Sequence, residues 1–363
     1  MGCCFKKKFF YLLEKESNFI SFSRKDFKEI KLIGKGSFGK VFLVRFKKNN
    51  KLYAMKVLNK SLLREKNQES NIKTERDLMV QINCPFIVSI KFAFQNDSKL
   101  FLVQEFLQGG DLFFHIHTHQ KFSNEKVKFY IVELVLAIEC LHKNNMLYRD
   151  LKPENILIGK DGHIKLTDFG LSKIISTFDK TYTICGTLQY LAPEILGGEG
   201  YNESVDWWSL GCIMFEMLTG RLPFKFKKDL NLDIYKKKIR FPAYVDDKAK
   251  DLISKLLDYN QKKRLGSGDN GWEQVKGHPY FDGVDWDEAL AKKIKPPFIP
   301  KLENEFDLKY FEKTYTEEPI NGGGSNNSSS FSNEESEDNY KGFTYVTNSL
   351  NNELKENSFG KDS

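Results

Sequence analysis

The feature that most constrains this chain is a change of apolar period near Gly110. Before it, residues 27–33, 41–45 and 52–57 read as half-buried strands, with Gly and Asn-Asn turn signals between them. Residues 100–105 return to a strand, and residues 72–82 interrupt with charged and apolar residues at helical spacing. After Gly110 the repeats lengthen, and residues 124–142, 205–219 and 247–257 predict helices. Strands gathered in one half and helices in the other predict an α+β chain, with a small strand-rich lobe, a larger helical lobe and a cleft between them.

Composition sets the outer limits. The 363 residues are 40% hydrophobic and 29% charged, which excludes a wholly disordered or fibrous chain. The net charge of +7 is mild over this length; it permits a basic membrane-facing patch and does not indicate nucleic acid as a partner. No apolar run approaches the roughly 20 residues that span a bilayer. Residues 9–13 are too short for a signal peptide, and Glu14 interrupts them. The cysteines at 3, 4, 84, 140, 185 and 212 form no C-x-x-C pair, as expected in a reducing compartment. A cytoplasmic protein is expected, a monomer, tethered to a membrane at one end.

Both ends differ from the centre. Residues 1–26 are a basic, aromatic leader, and residues 27–281 carry dense core patterns without low complexity. Residues 282–346 form a tail whose first part, with Pro296, Pro297, Pro300 and Pro319, is expected to wrap over a surface. Within it, residues 321–339 read as a flexible linker and 340–345 as an aromatic island. Residues 347–363 read as a disordered polar tail.

Chemistry concentrates in an ordered set of short motifs. Gly34-Lys-Gly36-Ser-Phe-Gly39 lies between two predicted strands, so its amides can approach phosphate oxygens; a dinucleotide-binding turn would open a helix instead. Lys56 ends an apolar strand, and Glu75 on the predicted helix offers it a carboxylate. Tyr148-Arg149-Asp150-Leu-Lys152-Pro-Glu-Asn155, Asp168-Phe169-Gly170 and Ala192-Pro193-Glu194 follow in that order. Two carboxylates and an amide so arranged can orient a hydroxyl nucleophile and bind Mg²⁺.

In this order and spacing, residues 27–281 resemble the eukaryotic protein kinases. The resemblance implies a two-lobed kinase fold and phosphoryl transfer from ATP with Mg²⁺. It implies a nucleotide site of Ile33, Gly34, Lys35, Gly36, Ser37, Phe38, Gly39, Lys40 and Val41, with Lys56, Glu75 and the hinge residues Glu105 and Leu107. Asp150 would accept or orient the substrate hydroxyl, Lys152 would steady the transferred phosphoryl group, and Asn155 and Asp168 would ligate Mg²⁺. Lys152 after Asp150, with Thr187, resembles the serine/threonine type. Glu194 would pair with Arg264 in a structural role. The intact set weighs against the alternative of a pseudokinase scaffold.

Finer features resemble the AGC group, nearest the protein kinase B and S6-kinase branch. Thr183-Ile-Cys-Gly-Thr187 resembles its activation segment, and Tyr340-x-x-Phe343-Thr344-Tyr345 its hydrophobic motif. Thr183 and Thr344 are therefore expected phosphosites for an upstream kinase. Asp111, Glu154 and Glu216 would face residues preceding the phosphoacceptor and favour arginine in protein substrates. Asn71 replaces a usual histidine, Gln104 an apolar gatekeeper, and Leu188-Gln189 the usual Pro-Glu. No Ser-Pro or Thr-Pro occurs in 321–339, so Ser325 and Ser328 to Ser330 are the candidate turn-motif sites. At the other end Gly2 is expected to carry myristate and Cys3 and Cys4 palmitate, beside Lys6, Lys7 and Lys8; Lys6 stands where Ser or Thr is preferred. His115, His117 and His119 read as a solvated helix face rather than a metal site, Cys185 as a packed small residue, Lys225 to Lys228 as a solvated loop, and Trp207 and Trp208 as core.

Overall fold

The computed structural model describes residues 22–36, 38–174, 181–183, 185–224, 232–319, 340 and 342–359. Ser37, the leader cysteines with Gly2, the linker serines and the lysines at 225–228 lie outside the described residues.

The small lobe is built on strands β1 (Phe27–Gly36), β2 (Gly39–Phe46), β3 (Leu52–Asn59), β4 (Ile90–Gln95) and β5 (Lys99–Glu105), with helices α1 (Lys60–Glu65) and α2 (Glu69–Gln81) between β3 and β4. The sheet runs β1-β2-β3-β5-β4, and each pairing is antiparallel. Gly39 is required at the β1–β2 turn, because a Cβ there would lie 1.8 Å from the Val57 carbonyl oxygen.

The large lobe starts at α3 (Leu112–His119) and α4 (Asn124–Lys143), capped by Asp111 and Ser123, whose side chains accept from Phe114 N and Lys126 N. Short pairs β6 (Met146–Leu147) with β9 (Lys173–Ile174), and β7 (Ile156–Ile158) with β8 (Ile164–Leu166), carry the loops facing the cleft. Helices α5 (Pro193–Leu196), α6 (Ser204–Thr219), α7 (Asp247–Leu256) and α8 (Gly271–Lys276) complete the lobe. Trp207 and Trp208 on α6 are fully buried. Side chains of this kind stabilise by about 1.5–3 kcal/mol each on leaving water, so α6 anchors the lobe.

The tail adds α9 (Trp286–Leu290) and α10 (Lys313–Thr316). Between them it lies along the hinge: Gln108 Nε2 donates to Asn304 O and Asp307 O, and Phe311 stacks on Phe106 at 5.8 Å. After the linker, Tyr340 and Phe343 are buried, and the chain continues as β10 (Tyr345–Val346) and α11 (Asn348–Phe359). β10 joins the edge of the small-lobe sheet beside β4.

Three expectations are corrected. Residues 347–363 do not begin a disordered tail: residues 348–359 form α11, because pairing of Val346 and burial of Leu350 supply an anchor that the Asn-rich composition hides. The leader is not separate up to residue 26, since Phe22 is buried against Phe46 and Phe92. His115 does not lie on a solvated face. It is fully buried and bonded through Nε2 to Gly109 O, and burial pushes its pKa down to about 4. Among the described residues no group of three or more acids, histidines and cysteines could hold a metal ion, and no helix is long and apolar enough to cross a membrane.

Candidate active site

A cavity of about 220 Å³ opens between the lobes, lined by Ile33, Gly34, Val41, Ala54 and Lys56 above, and by Asn155, Leu157, Thr167 and Asp168 below. Gln104, Glu105, Phe106 and Leu107 form its back, and Phe311 closes the front from the tail. A Cβ on Gly36 would meet nothing within 4 Å, so the loop leaves open space there. Lys35 and Lys40 turn away to Glu318 of the tail, at 2.5 and 3.5 Å. Gln104 is buried and donates to Met79 Sδ at 3.5 Å, leaving the cavity accessible beside it. The Glu105 carboxylate bonds Lys165 and Ser89.

Lys56 projects from β3 and Glu75 from α2. Lys56 Nζ donates to Glu75 Oε1 at 2.9 Å and to Asp168 Oδ1 at 3.0 Å. Burial alone would depress the lysine's pKa, but the Asp168 and Glu75 carboxylates overcome it and raise it. The nearby ammonium holds Asp168 below the ordinary carboxylate range, whereas burial pushes fully enclosed Glu75 up despite Lys56.

Opposite them, Asp150, Lys152 and Asn155 sit in the loop between β6 and β7. Asn155 Nδ2 donates to Asp150 O and Oδ2, Lys152 Nζ approaches Asp150 Oδ2 at 2.8 Å, and the Thr187 hydroxyl donates to Asp150 Oδ1 at 3.0 Å. Lys152 also donates to that hydroxyl at 2.8 Å. Arg149 and Asp168 both adopt left-handed backbone, φ 69° and 59°, a strain concentrated where side chains must be aimed.

With Nδ2 committed to Asp150, the oxygen of the Asn155 amide remains for a cation, as does Oδ2 of Asp168, whose Oδ1 faces Lys56. One amide and one carboxylate oxygen, with phosphate oxygens and water completing the sphere, suit Mg²⁺. The site therefore fits the nucleotide and metal implied by the sequence.

The three acids expected near a peptide gather at one end of the cleft. Asp111 and Glu154 line the cavity, and Glu216 accepts from Tyr190 OH at 2.7 Å. Burial, reinforced by the Glu154 charge, raises Asp111 to about 6 and Glu216 to about 7. Thr183 is exposed, and Arg149 reaches it through Tyr201, whose hydroxyl donates to Thr183 O. Asn71 donates to Gln68, the residue just before its helix, and Cys185 Sγ lies 4.0 Å from the Tyr201 hydroxyl.

Two contributors went unread in the sequence. Asp206, buried on α6, accepts from Tyr148 N, Arg149 N and His142 Nε2 and so fixes the loop carrying Asp150. An acid inside the apolar run Val205-Asp206-Trp207-Trp208 was the available signal. Phe311 carried no motif signal.

Comparison with known proteins agrees with this geometry. Residues 27–281 match the family model described as the protein kinase domain. Serine/threonine-protein kinase gad8 of Schizosaccharomyces pombe is 47% identical over 80% of this chain and 52% of its own length. Ribosomal protein S6 kinase 2 alpha of Gallus gallus and ribosomal protein S6 kinase alpha-2 of Homo sapiens are each 46% identical over 80% of this chain, and over 39% and 40% of their own lengths. The chain thus spans about half the length of the first relative and about two fifths of the others. A two-lobed cleft holding this motif order, together with that match, makes the chain a member of the protein kinase family, in its AGC group.

Proposed function

We propose that the chain transfers the terminal phosphoryl group of ATP to serine or threonine in protein substrates. The observation that carries this reading is the Thr187 hydroxyl held between Asp150 and Lys152, since an aliphatic hydroxyl already occupies the geometry a substrate Ser or Thr requires. ATP supplies the phosphoryl group, and Mg²⁺ at Asn155 and Asp168 supplies charge neutralisation. Asp150 orients the hydroxyl and accepts its proton, while Lys152 keeps positive charge beside the transfer path. Lys56, braced by Glu75, holds phosphate oxygens under the Gly34–Gly39 loop, so the chain contributes positioning and electrostatics rather than a covalent intermediate. Purified protein and Asp150→Asn, assayed with labelled ATP, test the reading; equal transfer by the two would defeat it and favour a nucleotide-binding scaffold.

The acids Asp111, Glu154 and Glu216 support a preference for arginine two to five residues before the phosphoacceptor. Alanine replacements in a peptide array check this, and an unchanged profile rejects it. A phosphate on Thr183, placed there by an upstream kinase, adds about −1.5 to −2 charges near Arg149 and Lys173 and favours the active arrangement. Thr344 is the second proposed phosphosite.

The leader supports a membrane anchor. Myristate on Gly2 gives marginal binding by itself, and palmitate on Cys3 or Cys4 with the three lysines makes it durable. Gly2→Ala should move the protein from the membrane fraction to the cytosol, and Cys3→Ser with Cys4→Ser should weaken retention. A wild-type protein found wholly in the cytosol without incorporated myristate rejects the anchor and leaves the kinase reading intact.

A further inference from the structure

The aromatic island is held by more than its own side chains. Phe343 is fully buried, Tyr340 nearly so, and Gly342 O accepts from Arg76 Nη1 at 2.8 Å. Arg76 follows Glu75 on α2, so the island touches that helix one residue from the carboxylate that braces Lys56. At the end of the island Tyr345 pairs with Ala93, and beyond it Val346 pairs with Phe92 and Thr347 N donates to Lys91 O at 3.1 Å. Helix α11 then buries Leu350 and Asn351, and Glu353 meets Lys51 at 3.0 Å. The surface it covers is the aromatic face of the sheet around Phe46 and Phe92, where Phe22 also packs at 5.8 and 5.0 Å.

We propose that residues 345–359 are an intramolecular partner of this sheet face, a latch that keeps the aromatic island docked, and α2 in register with Lys56, without a phosphate on Thr344. Its catalytic consequence rests on the kinase reading. Added-strand pairing draws on main-chain groups, and the burial of Val346 and Leu350 on apolar area, so neither depends on modification. Thr344 itself is exposed, between the buried Phe343 and the half-buried Tyr345. Three cations near the island are already engaged: Arg76 with Gly342 O, Asp77 and the Phe343 ring, Lys60 with Gln95 and the Tyr340 ring, and Arg64 with Glu69. A phosphate on Thr344 reinforces a docking that the next fifteen residues already achieve.

The test compares hydrogen exchange and peptide phosphorylation in full-length wild type, Thr344→Ala and Val346→Asp/Leu350→Asp. Thr344→Ala should stay within about twofold of wild type in both measurements. The double variant should exchange at least tenfold faster over 340–353 and over α2, and lose at least tenfold in kcat/KM. The proposal is overturned if Thr344→Ala opens these segments as far as the double variant, or if the double variant leaves α2 protected. Exchange over α6 reports whether the large lobe is intact. If it too is lost, Leu350→Ala replaces the double variant and must still open α2 more than Thr344→Ala, or the latch is rejected. Exchange requires no phosphoryl transfer, so a wild type no more active than Asp150→Asn would remove the kinase reading while the latch is judged on exchange alone.

Discussion

Lys56–Glu75 in the small lobe and Arg264–Glu194 in the large lobe are both cation–carboxylate pairs in the interior, and they are finished differently. Arg264 holds both oxygens of Glu194, at 2.6 and 2.9 Å, and also donates to Ser204 O and Asp258 O. Its side chain is 0% exposed and that of Glu194 3%. Glu75 is equally enclosed, but only Oε1 is fully bonded. Oε2 lacks a partner in full hydrogen-bonding geometry, although the Phe169 amide lies near enough to favour its charged form. Lys56 keeps 20% of its side chain open to the cleft and divides itself between two acids. A pair with its groups satisfied fixes a fold, whereas one left open on a cavity retains capacity to bind.

The largest expected effect lies wholly on the open side of this comparison. Asp150→Asn preserves shape and removes the proton acceptor, so kcat should fall by about 10²–10⁴-fold while the unfolding midpoint barely moves. A kcat within a few-fold of wild type would break the assignment of Asp150. On the closed side, Arg264→Ala leaves Glu194 enclosed without its cation and removes a donor from two carbonyls. Such a loss costs about 3–5 kcal/mol, a large share of the about 5–15 kcal/mol typical of folded domains. Urea unfolding measures it, and an unchanged midpoint would show that the pair does not hold the lobe. Glu75→Gln separates the two kinds of pair most directly. It should lower kcat/KM by about tenfold or more through loss of the Lys56 brace, with a stability change under about 2 kcal/mol, because it removes a charge that burial disfavours. A stability loss as large as that of Arg264→Ala would erase the distinction.

The same contrast explains what could be read in advance. Lys56, Asp150, Asn155 and Asp168 were legible because their chemistry fixes residue type and order along the chain. The strands and long helices were legible because burial on one face imposes a period. Asp206 was not, since its role is to receive two backbone amides from a loop far away in sequence, which leaves only an odd acid in an apolar run. Phe311 escaped because any large apolar tail residue stacked on Phe106 closes the cavity equally well in sequence terms. Helix α11 escaped for the opposite reason, being polar in composition and anchored chiefly through Val346 and Leu350. His115 was misjudged because spacing two along a helix says nothing about a partner such as Gly109 O in the preceding loop.

The smallest effect tests whether a third carboxylate site, at the peptide end of the cleft, belongs with the open pair or the closed one. Glu216 is enclosed and accepts a single bond from Tyr190, and burial with the Glu154 charge raises its pKa to about 7. Asp111, raised to about 6 by burial and by the Glu154 and Glu312 charges, titrates just below it. Both groups are negative above these values and neutral below them. Lowering pH from 8 to 6 therefore removes negative charge from the cluster, first at Glu216 and then in part at Asp111. If the cluster receives a substrate guanidinium, KM for a peptide with upstream arginine should rise about two- to fivefold across that interval, the range set by loss of a solvent-screened ion pair, while kcat changes less. A peptide with alanine in place of those arginines should show no such rise, and Glu216→Gln should flatten the arginine peptide's profile. Equal pH slopes for the two peptides would place Glu216 with Arg264–Glu194, as a group that holds the lobe together and does not meet the substrate.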